Sequence, residues 1–191
     1  MAANRSITNR TRTALVLTGV VALLSLWTVN LPAQQKATSN PDTAIGINRK
    51  QNKSVVHLYF TDKNNQFLIA EERALSQTGD PIRFGQAIVT ALIKGPGQEL
   101  APTIPQNTTL RALFITEEGT CYVDLSVDIQ ENHPGGVATE LLTVYSIVNS
   151  LILNIPEIET VKILVEGKEE TTLAGHVDLR FPFRANMLFI R

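Results

Sequence analysis

Cysteine is nearly absent from this 191-residue chain, where Cys121 stands alone. A single thiol excludes an intramolecular disulfide and any metal site built from several cysteines. No cysteine directly follows the N-terminal apolar run, which excludes a lipoprotein anchor there. Aromatic residues make up only 6% of the chain, and the one tryptophan, Trp27, lies inside that run. The remainder therefore lacks an aromatic platform for stacking sugars. Histidine is sparse as well. His57, His133 and His176 are the only three, and no pair has the spacing of metal ligands, so neither a metal nor a cofactor is expected. Basic clusters are missing beyond residue 50, where eleven Lys/Arg face seventeen Asp/Glu. An acidic domain of this kind repels phosphate backbones, which argues against nucleic-acid binding.

What is present begins with a charge asymmetry. Residues 1–50 carry six basic residues against one acid, Asp42. Arg5, Arg10 and Arg12 fall within a basic N-terminus, residues 1–13, and precede the uncharged run Ala14 to Leu31. Eighteen residues at about 1.5 Å each reach roughly 27 Å as a helix, close to a thin hydrocarbon core. Arginines before the run, and no basic residue after it until Lys36, place the N-terminus in the cytoplasm and the bulk of the chain outside. Two readings stay open. Residues 14–31 are an uncleaved single-pass anchor, or they belong to a secretory signal peptide cut near Ala33. Residues 32–53 are polar and small and read as a flexible linker. Residues 54–191 are the expected folded domain.

That domain opens with SVVHLYF from Ser54, a strand rich in β-branched and aromatic residues that ends in the turn cluster Thr61 to Asn65. Phe67 to Leu75 reads as the returning strand of a hairpin, with Glu71-Glu72-Arg73 as a solvated surface. Asp80-Pro81 is a helix start with an acid at the cap and proline at the first helical position, and Gly95-Pro96-Gly97 is its stop. Thr109 to Thr116 and Thr120 to Val127 are two strands joined by Glu117-Glu118-Gly119. In the second, Cys121, Val123, Leu125 and Val127 share one face. Thr160 to Val165 is a further strand, followed by a turn and a short sixth strand around Glu170 to Leu173. Pro182 marks the remainder as an edge strand or irregular segment.

Between the fourth and fifth of these strands lies the dominant element, GGVATELLTVYSIVNSLILNIP from Gly135 to Pro156. Its apolar residues recur every three and four positions and form a broad stripe on one side of a helix. Thr139, Glu140, Thr143, Ser146, Asn149, Ser150 and Asn154 form the other side. Glu140 sits in the first turn, where a negative charge suits the helix dipole. The pattern predicts a helix lying on a sheet, with the polar side tolerant of added charge. The expected fold is α/β (α+β), two helices on a mixed or antiparallel sheet, in the order β-β-α-β-β-α-β-β. Roughly 138 residues of this kind bury about two-thirds of their unfolded surface, enough for a real core. An internal echo supports two helix-then-strand halves: IPQNTTLRALF from Ile104 matches IPEIETVKILV from Ile155 at an offset of fifty-one.

The ordered series VVHLYF, EER, ALIKGP, IPQNTTL, YVDLS, GG…TELLTVYSIVNSL, VKILVEG and AGH resembles the GerMN domain of spore-germination, sporulation and envelope proteins. The resemblance covers Ser54 to Phe183. It implies an extracytoplasmic α/β domain, similar to ring-building modules, with a scaffolding role and no known catalysis. Two departures stand out. The chain has no lipid-bearing cysteine, and it has room for one such domain where the sporulation member carries two.

Candidate chemistry is thin. Asp124 and Ser126 lie two apart on one strand face and with a histidine could imitate a hydrolase triad, but no Gly-x-Ser-x-Gly elbow surrounds Ser126. A strand-end pair satisfying backbone donors is the expected role. Gly175-His176-Val177-Asp178 reads as a capped turn, and Cys121 as an inert core residue. Gly135-Gly136 before a helix could hold an anion, yet no Lys or Arg is close in sequence. No catalytic, cofactor or metal residue is therefore assigned. The expected function is a non-catalytic, membrane-tethered module acting on envelope proteins or on copies of itself. The alternatives are a binding module for peptidoglycan or a small ligand, and a hydrolase.

Overall fold

The computed structural model describes residues 53–97 and 99–191. The expected N-terminus, apolar run and linker (1–13, 14–31 and 32–53) lie outside these, apart from Lys53. An antiparallel hairpin comes first, with β1 at Lys53–Thr61 and β2 at Leu68–Ser76 in register from Lys53↔Ser76 to Thr61↔Leu68. Asp62 holds the loop between them, its carboxylate accepting from the backbone N–H groups of Gln66 and Phe67 at 2.7 and 3.3 Å. Val56, Leu58 and Phe60 send alternate side chains into the core.

Helix α1, Pro81–Lys94, begins as its composition requires. The Asp80 side chain accepts from the N–H groups of Ile82 and Arg83, and Pro81 occupies a position that needs no donor. Its inner face carries Phe84, Ile88, Val89 and Leu92. Gly85 lets it approach the next strand closely, since a Cβ there would meet the Leu113 methyls at 3.2 Å.

The second sheet has three strands in the order β3-β4-β5: Leu110–Ile115, Thr120–Leu125 and Thr160–Val165. β3 is antiparallel to β4, and β5 runs parallel to it. A parallel neighbour demands a crossover, supplied here by the short α2 (Asp128–Glu131) and the long α3 (Val137–Ile152). The two echoed segments thus flank β4 and run in opposite directions. β4 is covered on both faces: Cys121, Val123 and Leu125 are fully buried and Asp124 nearly so.

Three expectations change. The strand expected to reach Val127 ends at Leu125, because Val127 opens α2. The sixth strand around Glu170–Leu173 is not formed. The free edge of β5 is already taken by Phe183, whose N–H and C=O pair with Val161 at 2.8 and 2.9 Å. Residues 171–179 instead close on themselves, Leu173 donating to Val177 O and Leu179 to Thr171 O. The strands form two sheets within the α+β class, with α1 and α3 packed on both.

The third change concerns α3. Its polar side is not solvated: Glu140, Thr143, Ser146, Asn149 and Ser150 are all buried. Ser146, Ser150 and Asn154, spaced by four, run along the edge of β1 that β2 leaves open. Ser146 Oγ donates to Tyr59 O at 2.5 Å, and Ser150 Oγ accepts from Tyr59 N at 3.0 Å. The Asn154 amide both donates to His57 O at 2.8 Å and accepts from His57 N at 3.0 Å. Thr61 completes the edge through two backbone bonds with Ala101. A helix side-chain ladder thereby satisfies a strand edge that would otherwise invite pairing with another chain.

Candidate functional site

The first turn of α3 gathers the most polar chemistry in the domain. Glu140 is fully buried, and its carboxylate accepts from the N–H groups of Ala174, His176 and Val177 at 3.2, 3.1 and 2.8 Å, with His176 Nδ1 at 2.7 Å. Burial pushes this carboxyl's pKa up, but the donors together outweigh burial and hold it below the usual range. The sequence marked Glu140 only as a first-turn acid. Its actual partners lie more than thirty residues away, in the Gly175-His176 turn, and no local pattern announces them.

His133 stands beside it. Its Nδ1 accepts from Gly135 N at 3.0 Å, which leaves the hydrogen on Nε2 to donate to Thr143 Oγ1 at 3.0 Å. Thr143 passes its own hydrogen to Thr103 O at 2.6 Å. Burial lowers the His133 pKa against the opposing pull of Glu140, so the ring stays neutral near pH 7. Both ring nitrogens are committed, and neither is free to act as a base. Gly135 and Gly136, at φ 76 and 93, supply the left-handed turn into the helix. The Thr139 hydroxyl folds back on both of their carbonyls.

A groove of about 230 Å³ opens over this turn, lined by Thr61, Asn65, Pro102 to Gln106, His133, Pro134, Thr139, Leu142 and Thr143. It is smaller than the range of about 300–1,000 Å³ typical of drug-sized ligand sites and suits a single projecting side chain. A second, broader groove of about 620 Å³ runs between β2 and α1. Its floor corrects the reading of Glu71-Glu72-Arg73 as a solvated surface. Glu71 is buried, accepting from Gly97 N at 2.9 Å and from Arg73. Arg73 in turn caps the end of α1 through Ala91 O and Gly95 O.

The residues weighed for hydrolysis do not converge. Ser126 Oγ accepts from Thr109 N at 3.0 Å and donates to Asp128 Oδ2 at 2.9 Å. Asp124 accepts from Gly167 N at 2.7 Å and from Arg111 Nε at 3.2 Å, and a β-bulge at Arg111 brings that guanidinium to Glu166 as well. No histidine enters either network. His57 lies on the surface, 3.7 Å from Glu72. Cys121 is buried within β4, which pushes its thiol pKa up to about 12. Among the described residues no group of three or more His, Cys, Asp or Glu could hold a metal, and no helix is long and apolar enough to cross a membrane.

Residues 57–171 match the family described as Germane, sporulation and spore germination. A crystal structure of a protein described as a lipoprotein from Clostridium perfringens is 29% identical, covering 70% of this chain and 88% of that one, with a TM-score of 0.51. The first GerMN domain of the sporulation protein GerM from Bacillus subtilis matches at 19% identity and TM-score 0.54, over 70% of this chain and 96% of that domain. The tandem GerMN domains of the same protein match at 18% identity and TM-score 0.57, over 70% of this chain and 46% of theirs. No protein of curated function matches the chain.

Proposed function

The chain belongs to the Germane family of sporulation and spore germination, and from that premise we propose that it is a non-catalytic interaction module of the bacterial envelope. Residues 14–31 tether it to the cytoplasmic membrane, and the domain stands outside. If the run is instead cut near Ala33, the same domain is released. The partners are envelope proteins or further copies of the chain. The similar structures described as a lipoprotein and as sporulation domains support an envelope setting.

The observation that carries this reading is the commitment of the polar candidates to structural bonds, with Cys121 sealed inside β4. Ser126, Asp124, His133, His176 and Glu140 each hold a loop or a helix end in place. Tethering raises the effective concentration of partners, so a modest interface such as the 230 Å³ groove suffices. The test is a photo-crosslinking residue at Gln106, exposed on the rim of that groove, in living cells. Crosslinks to an envelope protein or to a second copy are expected. Single alanine replacements of Ser126, Asp124 and His176, none of which lines the groove, should leave those crosslinks and the cellular effect intact wherever the domain folds. A folded Ser126→Ala protein that keeps its crosslinks and loses its effect would move the reading to a hydrolase.

A further inference from the structure

The closing segment, residues 181–191, is a strap fixed at several points. Phe183 pairs with Val161, and the Asn149 side chain bonds both N and O of Asn186 at 2.9 and 3.0 Å. The Phe189 ring stacks on Tyr145 at 4.5 Å, and Arg191 N donates to Leu68 O at 3.0 Å. Before and between these anchors the strap turns apolar side chains outward. Leu188 is 86% exposed, Met187 58% and Phe181 68%. The Asn186 side chain accepts from Leu188 N at 3.0 Å and so stiffens the projecting turn.

Charge sorts in the same direction. Residues 179–191 contain three arginines and no acid, whereas residues 53–178 contain eight basic residues and seventeen acids. Arg180 is neutralised by Asp178 at 2.8 Å. Arg184 is exposed and has no ion-pair partner among the described residues, and Arg191 lies over the Phe67 ring at 5.3 Å.

We propose that this strap docks on an anionic phospholipid surface, with Met187 and Leu188 entering the interface and Arg184 and Arg191 meeting lipid phosphates. The acidic remainder of the domain is repelled by such a surface and the strap attracted, so the charge asymmetry itself selects the orientation. The tether already holds the domain close to the bilayer, so a small apolar turn with its arginines suffices to orient it there. Two exposed side chains on a turn are too small for a stable protein interface, which needs about 800 Å² per partner, yet they suit an interfacial wedge. The inference rests on the tethering reading above.

The experiment uses the full chain with Leu188→Cys carrying an environment-sensitive fluorophore; Cys121, buried in β4, stays unlabelled while the domain is folded. The protein is reconstituted in vesicles of phosphatidylcholine with phosphatidylglycerol, or of phosphatidylcholine alone. Docking predicts blue-shifted emission and quenching by acyl-chain quenchers in the anionic vesicles, and weaker signals without phosphatidylglycerol. Arg184→Ala should lower the docked-to-undocked ratio about fivefold. A label at Thr90→Cys, on the exposed side of α1, should remain aqueous. A chain that floats with the vesicles while its Leu188 label stays in water overturns the docking proposal alone. Burial of that label only when a protein partner is added overturns it as well. A chain that does not float at all overturns docking and tethering together.

Discussion

Helices α1 and α3 look alike in outline and differ in the chemistry of their polar sides. The outward residues of α1 include Arg83, Gln86, Thr90 and Lys94, and Arg83 and Thr90 face solvent. Beyond Glu140, the polar side of α3 carries Thr143, Ser146, Asn149 and Ser150, all buried, and Asn154 follows two residues past its end; none of these five is charged. Long charged side chains can reach water from a packed helix, whereas short hydroxyls and amides cannot, and they carry donors and acceptors suited to a neighbouring backbone. A stripe of small neutral polar residues at a spacing of four therefore signals a helix buried all round, docked on a strand edge. The two helices thus bury their polar sides to different degrees, and substitutions can test that difference.

The largest effect is expected where charge enters the α3 stripe. Ser146→Asp places a carboxylate against Tyr59 O, and Thr143→Asp places one against Thr103 O. Ser146→Asp introduces an unpaired buried charge and Thr143→Asp a buried charge with only His133 beside it, each costing several kcal/mol against a total stability of about 5–15. Neither protein should show a cooperative urea transition close to the parent midpoint. Thr90→Asp on α1 should stay within about 1 kcal/mol. Equal tolerance at Ser146 and Thr90 would mean that α3 is not sealed against β1.

Glu140 gives the next effect. Glu140→Gln retains one acceptor oxygen and sets an NH₂ group against donors that all need acceptors, at a cost of about 2–4 kcal/mol. Because the folded pKa lies below the usual value, the carboxylate's contribution is complete above the unfolded pKa of about 4.3. It is lost as pH falls through the folded value. Urea midpoints measured from about pH 7 down to about pH 3 should fall steeply for the parent below its unfolded pKa and less steeply for Glu140→Gln.

Local signals carried much of this fold. The Asp80-Pro81 cap, the hairpin turns and the three-four periodicity of α3 all act within a few residues, so they are readable in isolation. Long-range competition is not. Glu170–Leu173 has a composition that tolerates a strand, but Phe183 reached the β5 edge instead, a choice made by a segment ten residues further on. Glu71 and Arg73 read as surface charges until α1 places its end against them. The polar stripe was visible in the sequence, and its partner, ninety residues away on β1, was not. At the candidate site, the likeness of Asp124 and Ser126 to a catalytic pair came from their shared strand face, while their hydrogen bonds diverge to Gly167 and Thr109.

Smaller effects follow from deleting single groups of the ladder. Ser150→Ala leaves Tyr59 N without an acceptor, and Asn154→Ala frees both His57 N and O. The buried bond should cost about 1–3 kcal/mol and the more exposed one about 1. Amide hydrogen exchange at Tyr59 and His57 should quicken in the corresponding variant, while Val56, on the core face of β1, changes only with global stability.

The contrast is sharpest where the same group is removed from both helices, and the smallest effect of all is expected on α1. Thr90 Oγ1 donates to Gln86 O at 2.7 Å within its own helix, on an exposed side of α1. Ser146 Oγ donates to Tyr59 O at 2.5 Å from a fully buried position. Both bonds end on a backbone carbonyl, so bond counting alone assigns them equal weight. Burial separates them. The Gln86 carbonyl keeps its own helical role and lies near water, and alanine is the better helix former, so Thr90→Ala should be neutral or stabilising by a few tenths of a kcal/mol. Ser146→Ala strands both Tyr59 O and the Thr103 hydroxyl that meets Ser146 Oγ at 2.6 Å, and should cost about 1–3 kcal/mol. Urea midpoints of the two alanine variants, at unchanged m-value, should therefore move apart, with only Ser146→Ala falling. Equal shifts would show that the hydroxyls on α3 contribute no more than helix propensity, and that the β1 edge is held by packing alone.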